Sequence, residues 1–171
     1  MNTQVIAAPQ ADLHEIRLTV TSDGTTGKDW IGRLEKKGFC LSDFAKEILR
    51  FSPEFIPTKG VTYEVVIIKS SFWEANGHCN TLTVRDEAEK RSLATPNAEV
   101  ACLLREVLTD AQIKAAHLSW ISVMHEPVIT SDVVPKLLGL GCYVRMPEFN
   151  AYYDRSDWDS DDGFAFVLPQ G

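Results

Sequence analysis

Four short stretches of this 171-residue sequence bring chemically capable side chains close together. The first, Ser22-Asp23-Gly24-Thr25-Thr26-Gly27-Lys28-Asp29, lies where a phosphate-binding loop would lie, between a strand and a helix. That motif needs glycine where Ser22 stands, and Ser or Thr after the lysine to hold magnesium, where Asp29 stands. A carboxylate there repels phosphate, so the stretch reads as a polar turn into a capped helix. The second is His125-Glu126, a candidate general acid–base pair at a strand end. A zinc-protease helix is excluded, because Ile129 stands where the second histidine belongs and Pro127 breaks the helix.

The third is His78-Cys79, which could seed a zinc site with Cys102, Cys142, His117 or His125, or form a histidine-activated thiol. Zinc sites carry paired short spacings, and only this adjacent pair is present, so no metal and no cofactor are expected. Cys79 stays as a candidate nucleophile. The four cysteines contain no CxxC and read as free thiols of a reducing cytosol. The fourth stretch, Asp157 to Gly163, has aspartates where a calcium loop has its first three ligands. Its glycine arrives one residue late, and Leu168 replaces the closing glutamate, so it is not an EF-hand loop. The same region reads instead as a recognition surface made of Glu148, Tyr152, Tyr153, Asp154, Asp157, Trp158, Asp159, Asp161 and Asp162.

The elements that position these groups follow from periodicity and caps. Ile16, Leu18 and Val20 alternate with polar residues, which predicts a strand with one buried face. Thr26 with Asp29 caps a helix that Gly38 ends, and Ser42 opens a second that cannot pass Pro53. Val61 to Ile68 is apolar on both faces, the mark of a central strand. Ser70 to Leu82 reads as irregular. Thr83 to Leu93 predicts a charged helix, and Thr95-Pro96 a helix start followed by the core stripe Val100, Leu103, Leu104, Val107 and Leu108. Thr109 and Gln112 form a capping box for a short helix to about Ala116. Ser119 to His125, Lys136 to Arg145, Glu148 to Tyr153 and Gly163 to Leu168 read as four strands of an antiparallel meander. The expectation is a single α+β domain over residues 14–171, with helices on one face of a largely antiparallel sheet, behind a flexible tail at 1–13.

Composition narrows the function classes. Hydrophobic residues make up 44% and charged residues 24%, ordinary for a globular domain. No apolar run reaches membrane-spanning length, and Met1 to Asp12 lacks the form of a secretory signal, so a cytoplasmic location is expected. The net charge is −7, and the stretch Glu148 to Asp162 holds six carboxylates against Arg155 alone. This acidity argues against direct binding of nucleic acid or an anionic membrane.

Three segments, Pro96 to Glu106, Val123 to Pro127 and Asp162 to Val167, together with Asp29-Trp30-Ile31, resemble a group of short hypothetical proteins from genomes of uncultured candidate-phylum bacteria. The resemblance implies a bacterial, soluble, stand-alone domain and brings no catalytic residue with it. The loop Val128 to Asp132 departs from it by being less charged. The functional expectation is a small acidic binding protein whose acid–aromatic C-terminal region meets a protein partner with a basic surface. The alternative is a small enzyme using His125 and Glu126.

Overall fold

The computed structural model describes residues 14–75, 77–143, 146–153 and 158–170, and for 142, 143, 146, 147 and 150–153 the backbone alone. The expected tail at 1–13 lies outside the described residues. The chain runs β1 (Glu15–Asp23), α1 (Gly27–Lys36), β2 (Cys40–Leu41), α2 (Asp43–Phe51), β3 (Lys59–Lys69), α3 (Ser71–Glu74) and α4 (Thr81–Lys90). It continues through α5 (Glu99–Val107), α6 (Asp110–Ala115), β4 (Trp120–Val123), β5 (Val128–Ile129), β6 (Pro135–Tyr143), β7 (Met146–Tyr153) and β8 (Asp162–Val167). The fold is α+β.

Local chemistry accounts for most boundaries. The Thr26 hydroxyl accepts from Asp29 N at 3.3 Å and opens α1; the Ser42 hydroxyl does the same for α2 from Ala45 N at 3.1 Å. Thr109 and Gln112 close the expected capping box at α6. The charged helix begins two residues early, because Asn80 caps α4 and Thr83 completes the box from within. The Thr95-Pro96 start is corrected: α5 begins at Glu99. Ala94 bridges to β8 alone, donating to Val167 O at 2.7 Å and accepting from Val167 N at 3.2 Å, which holds the chain extended just before Thr95. Ala98 is the N-cap and has no side-chain cap bond; Asn97 Oδ1, one residue earlier, accepts from Glu99 N at 3.1 Å.

The sheet order is β1-β3-β8-β4-β6-β7-β2, with β5 added to β6. All pairings are antiparallel except β4 with β8 and β2 with β7. β4, β6 and β7 make the expected meander. β8 does not extend it, because the chain carries β8 back between β3 and β4. Its six residues are all buried, with Phe164 and Phe166 on one face and Ala165 and Val167 on the other. Such a strand belongs in a sheet interior covered on both sides.

Helices cover both faces, which corrects the one-face expectation. The larger core sets Trp30, Leu34, Ile48, Val100 and Leu104 from α1, α2 and α5 against Val65, Ile67, Ile121 and Leu140. The smaller core lies on the opposite face, where Trp73 and the α4 residues Val84 and Ala88 meet Ile68, Met124, Leu137, Phe164 and Phe166. β3 supplies apolar residues to both, as its two-sided pattern requires. Gly139 and Gly141 leave room for the Trp120 indole: a Cβ at Gly139 would lie 2.4 Å from that ring.

Candidate binding pocket

β3 ends at Lys69, and Ser70 turns the chain into the single turn of α3. Ser70 N donates to Asp162 O at 2.8 Å, which ties this turn to the start of β8. Trp158 N donates to Cys79 O at 3.0 Å, bringing the segment before α4 to the same place. The 159–162 turn closes on itself, with Asp159 N donating to Asp162 Oδ2 at 2.8 Å and Asp162 N to Asp159 O at 3.2 Å. Between these segments lies a cavity of about 220 Å³, lined by Ser70, Glu74, His78, Cys79, Trp158, Asp159 and their neighbours. Its wall is aromatic: Trp158 meets Phe164 edge-on at 5.2 Å, and Phe164 meets Trp73 at 5.9 Å. Glu74 and Asp159 are exposed carboxylates, and no lysine or arginine is among the described lining residues. Ser70 is 3% exposed, and its Oγ has no hydrogen-bond partner among the described residues.

The environment of Cys79 does not favour a thiolate. Burial, reinforced by the charge of Asp162, pushes the Cys79 thiol up to about 12. It therefore stays protonated at neutral pH, whereas a catalytic cysteine needs its thiolate.

The predicted residues divide by location. Trp158 and Asp159 line the cavity together with Cys79, which unites two stretches that the sequence kept apart. Asp161 is half-buried and accepts from Ser119 Oγ. Asp162 is 2% exposed and structural, so it offers nothing to a surface partner. Glu148 lies in a hydrogen-bonded row with Gly141, Trp120 and Asp162, three strands across from β8. Tyr153 pairs with Lys136 at the other end of β7. The side chains of Tyr152 and Tyr153, and residues Asp154 and Asp157, lie outside the described residues. Ser70, Glu74 and Trp73 were missed: an aromatic pair and a glutamate directly after a central strand were the available signal.

His125 is held elsewhere, beyond β4. Its Nδ1–H donates to Glu126 O at 2.7 Å, and its Nε2 accepts from Leu138 N at 2.9 Å. The ring is 1% exposed, and burial drives its pKa down to about 4. Both nitrogens are committed to backbone, and Glu126 contributes its carbonyl, so the expected acid–base pair is not assembled. Ser22 is likewise structural, its Oγ hydrogen-bonded with Thr58 Oγ1 at 2.7 Å and accepting from Val61 N at 3.1 Å. Thr58 passes the network on to the buried Glu99, which also accepts from Tyr63 OH at 2.9 Å. A larger groove of about 690 Å³ borders β1, α1 and α5. Its cations are already matched, Arg33 to Asp23 at 2.5 Å and Glu106 at 2.7 Å, and Lys37 to Glu106 at 3.0 Å.

No family model, no curated protein and no solved structure matches this chain. The functional reading therefore rests on its own residues. Among the described residues, no group of three or more His, Cys, Asp or Glu is placed to hold a metal ion. No described helix is long and apolar enough to cross a membrane.

Proposed function

We propose that this chain is a binding protein that receives a basic protein partner on the acidic, aromatic face around Trp158 and Asp159. One observation carries the reading: a half-buried indole and two exposed carboxylates border a cavity that no described lysine or arginine lines. Most of the net charge falls in the sequence stretch 148–162, which includes Trp158 and Asp159, and such a charge steers a cationic partner and repels nucleic acid. The free thiols of Cys40, Cys79 and Cys102 suit a reducing cytosol.

Titration with basic and acidic peptides, followed by backbone and indole NMR signals, tests this. Basic peptides should shift the signals of Trp158, Asp159 and Asp161, with affinity falling as salt rises. Acidic peptides should do neither. Shifts confined to other surfaces, or salt-independent binding, would sink the proposal.

A further inference from the structure

We infer that the open edge of β1 receives the β1 strand of a second copy of this chain, antiparallel and in a single register, so that two sheets join into one across a two-fold axis at Val20. The inference is separate from the binding role proposed above.

The two ends of the sheet are unlike. β2, at one end, has 2 residues, whereas β1, at the other, has 9. Sheet edges are ordinarily guarded by shortness, proline, lysine or a bulge, and an unguarded edge is a template for another strand. β1 contains no proline, glycine or lysine. Its pairing with β3 slips between Thr21 and Asp23, but the extra residue lies on β3, so β1 itself stays regular. Lys69 N donates to His14 O at 2.8 Å, which sets the phase of the ladder. Ile16, Leu18 and Val20 therefore turn their backbone groups to β3, and Arg17, Thr19 and Thr21 turn theirs outward. Among the described residues, no strand pairs with that outer side. The groove of about 690 Å³ runs along it, bordered by the consecutive residues Thr19 to Asp23.

Charge selects the occupant. With the axis at Val20, Arg17 of each copy stands opposite Asp23 of the other, Thr19 stands opposite Thr21, and Val20 meets its own counterpart. Opposite charges directly across a strand pair favour it, and like charges disfavour it. Both charged groups have room: the Arg17 side chain is 53% exposed beside Glu15, and that of Asp23 is 40% exposed beside Arg33. The neighbouring registers lack this match. An axis at Thr19 sets Glu15 against Asp23, and an axis at Thr21 sets Arg17 against Thr25 and Asp23 against Thr19. The edge thus asks for a strand with a base at one end, an acid at the other and threonines between on the same face, which is β1 itself. Pairing consumes the long edge of each copy and leaves the 2-residue β2 outside, so assembly closes at the dimer.

Sedimentation equilibrium of the full chain tests this. It should show monomer passing to dimer as concentration rises, and nothing larger. Thr19→Pro removes an outward N–H without touching a bond to β3, a position where an edge strand tolerates proline. It should raise the dimer dissociation constant at least about tenfold, through lost pairing across the axis. Arg17→Asp sets like charges opposite one another on both sides of the axis and should weaken the dimer by about tenfold as well. Mixing the Arg17→Asp chain with an Asp23→Lys chain restores opposite charges at both places, so the mixed dimer should be tighter than either variant paired with itself. Circular dichroism verifies the fold of each variant, and any one of the three that folds decides the question. A monomer at every attainable concentration, or a dimer indifferent to these changes, would overturn the inference. So would a monomer whose Thr19 and Thr21 amide signals move only when an extended peptide of unrelated sequence is added, which would give the edge to a different protein.

Discussion

His125 illustrates how burial converts a candidate catalyst into a structural group. A general base needs a free lone pair near neutral pH. Here Nε2 is occupied by Leu138 N–H and the ring cannot easily accept a proton, as its pKa of about 4 records. The consequence for stability has a definite sign. The folded ring titrates below the ordinary 6.5, so the unfolded chain binds more protons in that range. The contribution is complete above pH 6.5 and lost as pH falls toward 4, on the order of 3 kcal/mol. Urea midpoints measured across that window should fall, and His125→Gln should flatten the slope between pH 6.5 and 4. An unchanged slope would mean the ring is not held neutral. Asp23, lowered to about 2 by Thr25 and Arg33, loses its contribution in a separate, more acidic window. Glu99 is the complementary case: a buried carboxylate met by Thr58, Tyr63 and Asn97 donors, to which the sequence reading assigned no role.

At the scale of elements, α5 is the helix on which the larger core depends. Its apolar stripe was legible because 3.6-residue periodicity is a property of the helix alone. Arg105 was not legible as core, yet it is fully buried. Its guanidinium donates to Leu108 O at 2.6 Å and Asp110 Oδ1 at 3.0 Å, and lies 4.4 Å from the centre of the Phe39 ring. The two leucines of the stripe should differ. Leu104 is 0% exposed inside the core, so Leu104→Ala should cost about 3–5 kcal/mol. Leu103 borders the open groove beside β1, so Leu103→Ala should cost less, roughly 1–3 kcal/mol. Chemical denaturation of both variants measures this. Equal losses would place Leu103 as deep as Leu104.

For the whole molecule, the question is what the concentrated negative charge does. Like charges crowded in one region repel, and removing some of them should not harm the fold. Replacing Asp157, Asp159 and Asp161 together by Asn should leave the unfolding midpoint unchanged or slightly higher. Asp161→Asn keeps an amide oxygen that still accepts from the Ser119 hydroxyl. The same variant should bind basic peptides more weakly and with a shallower salt dependence. If it binds as tightly as the parent at low salt, the acidic stretch serves only to keep the protein soluble.

Some of this was determined by the sequence alone. Thr26, Ser42 and Thr109 cap helices through bonds spanning three residues, so no distant contact is needed to read them. The two-sided run Val61 to Ile68 announces a central strand for the same local reason. The position of the charge is also read directly. What only the tertiary structure decided is which distant segments meet. The Gly163 to Leu168 pattern marks a strand but not its neighbours, and β8 lies between β3 and β4 because both of its faces must be covered. That placement draws Ser70 and Glu74 to Trp158 and Asp159, more than eighty residues along the chain, and builds the pocket. It also buries Asp162, which the sequence had counted with its exposed neighbours. Periodicity and capping act within a few residues, whereas strand order and burial follow from packing the whole chain at once.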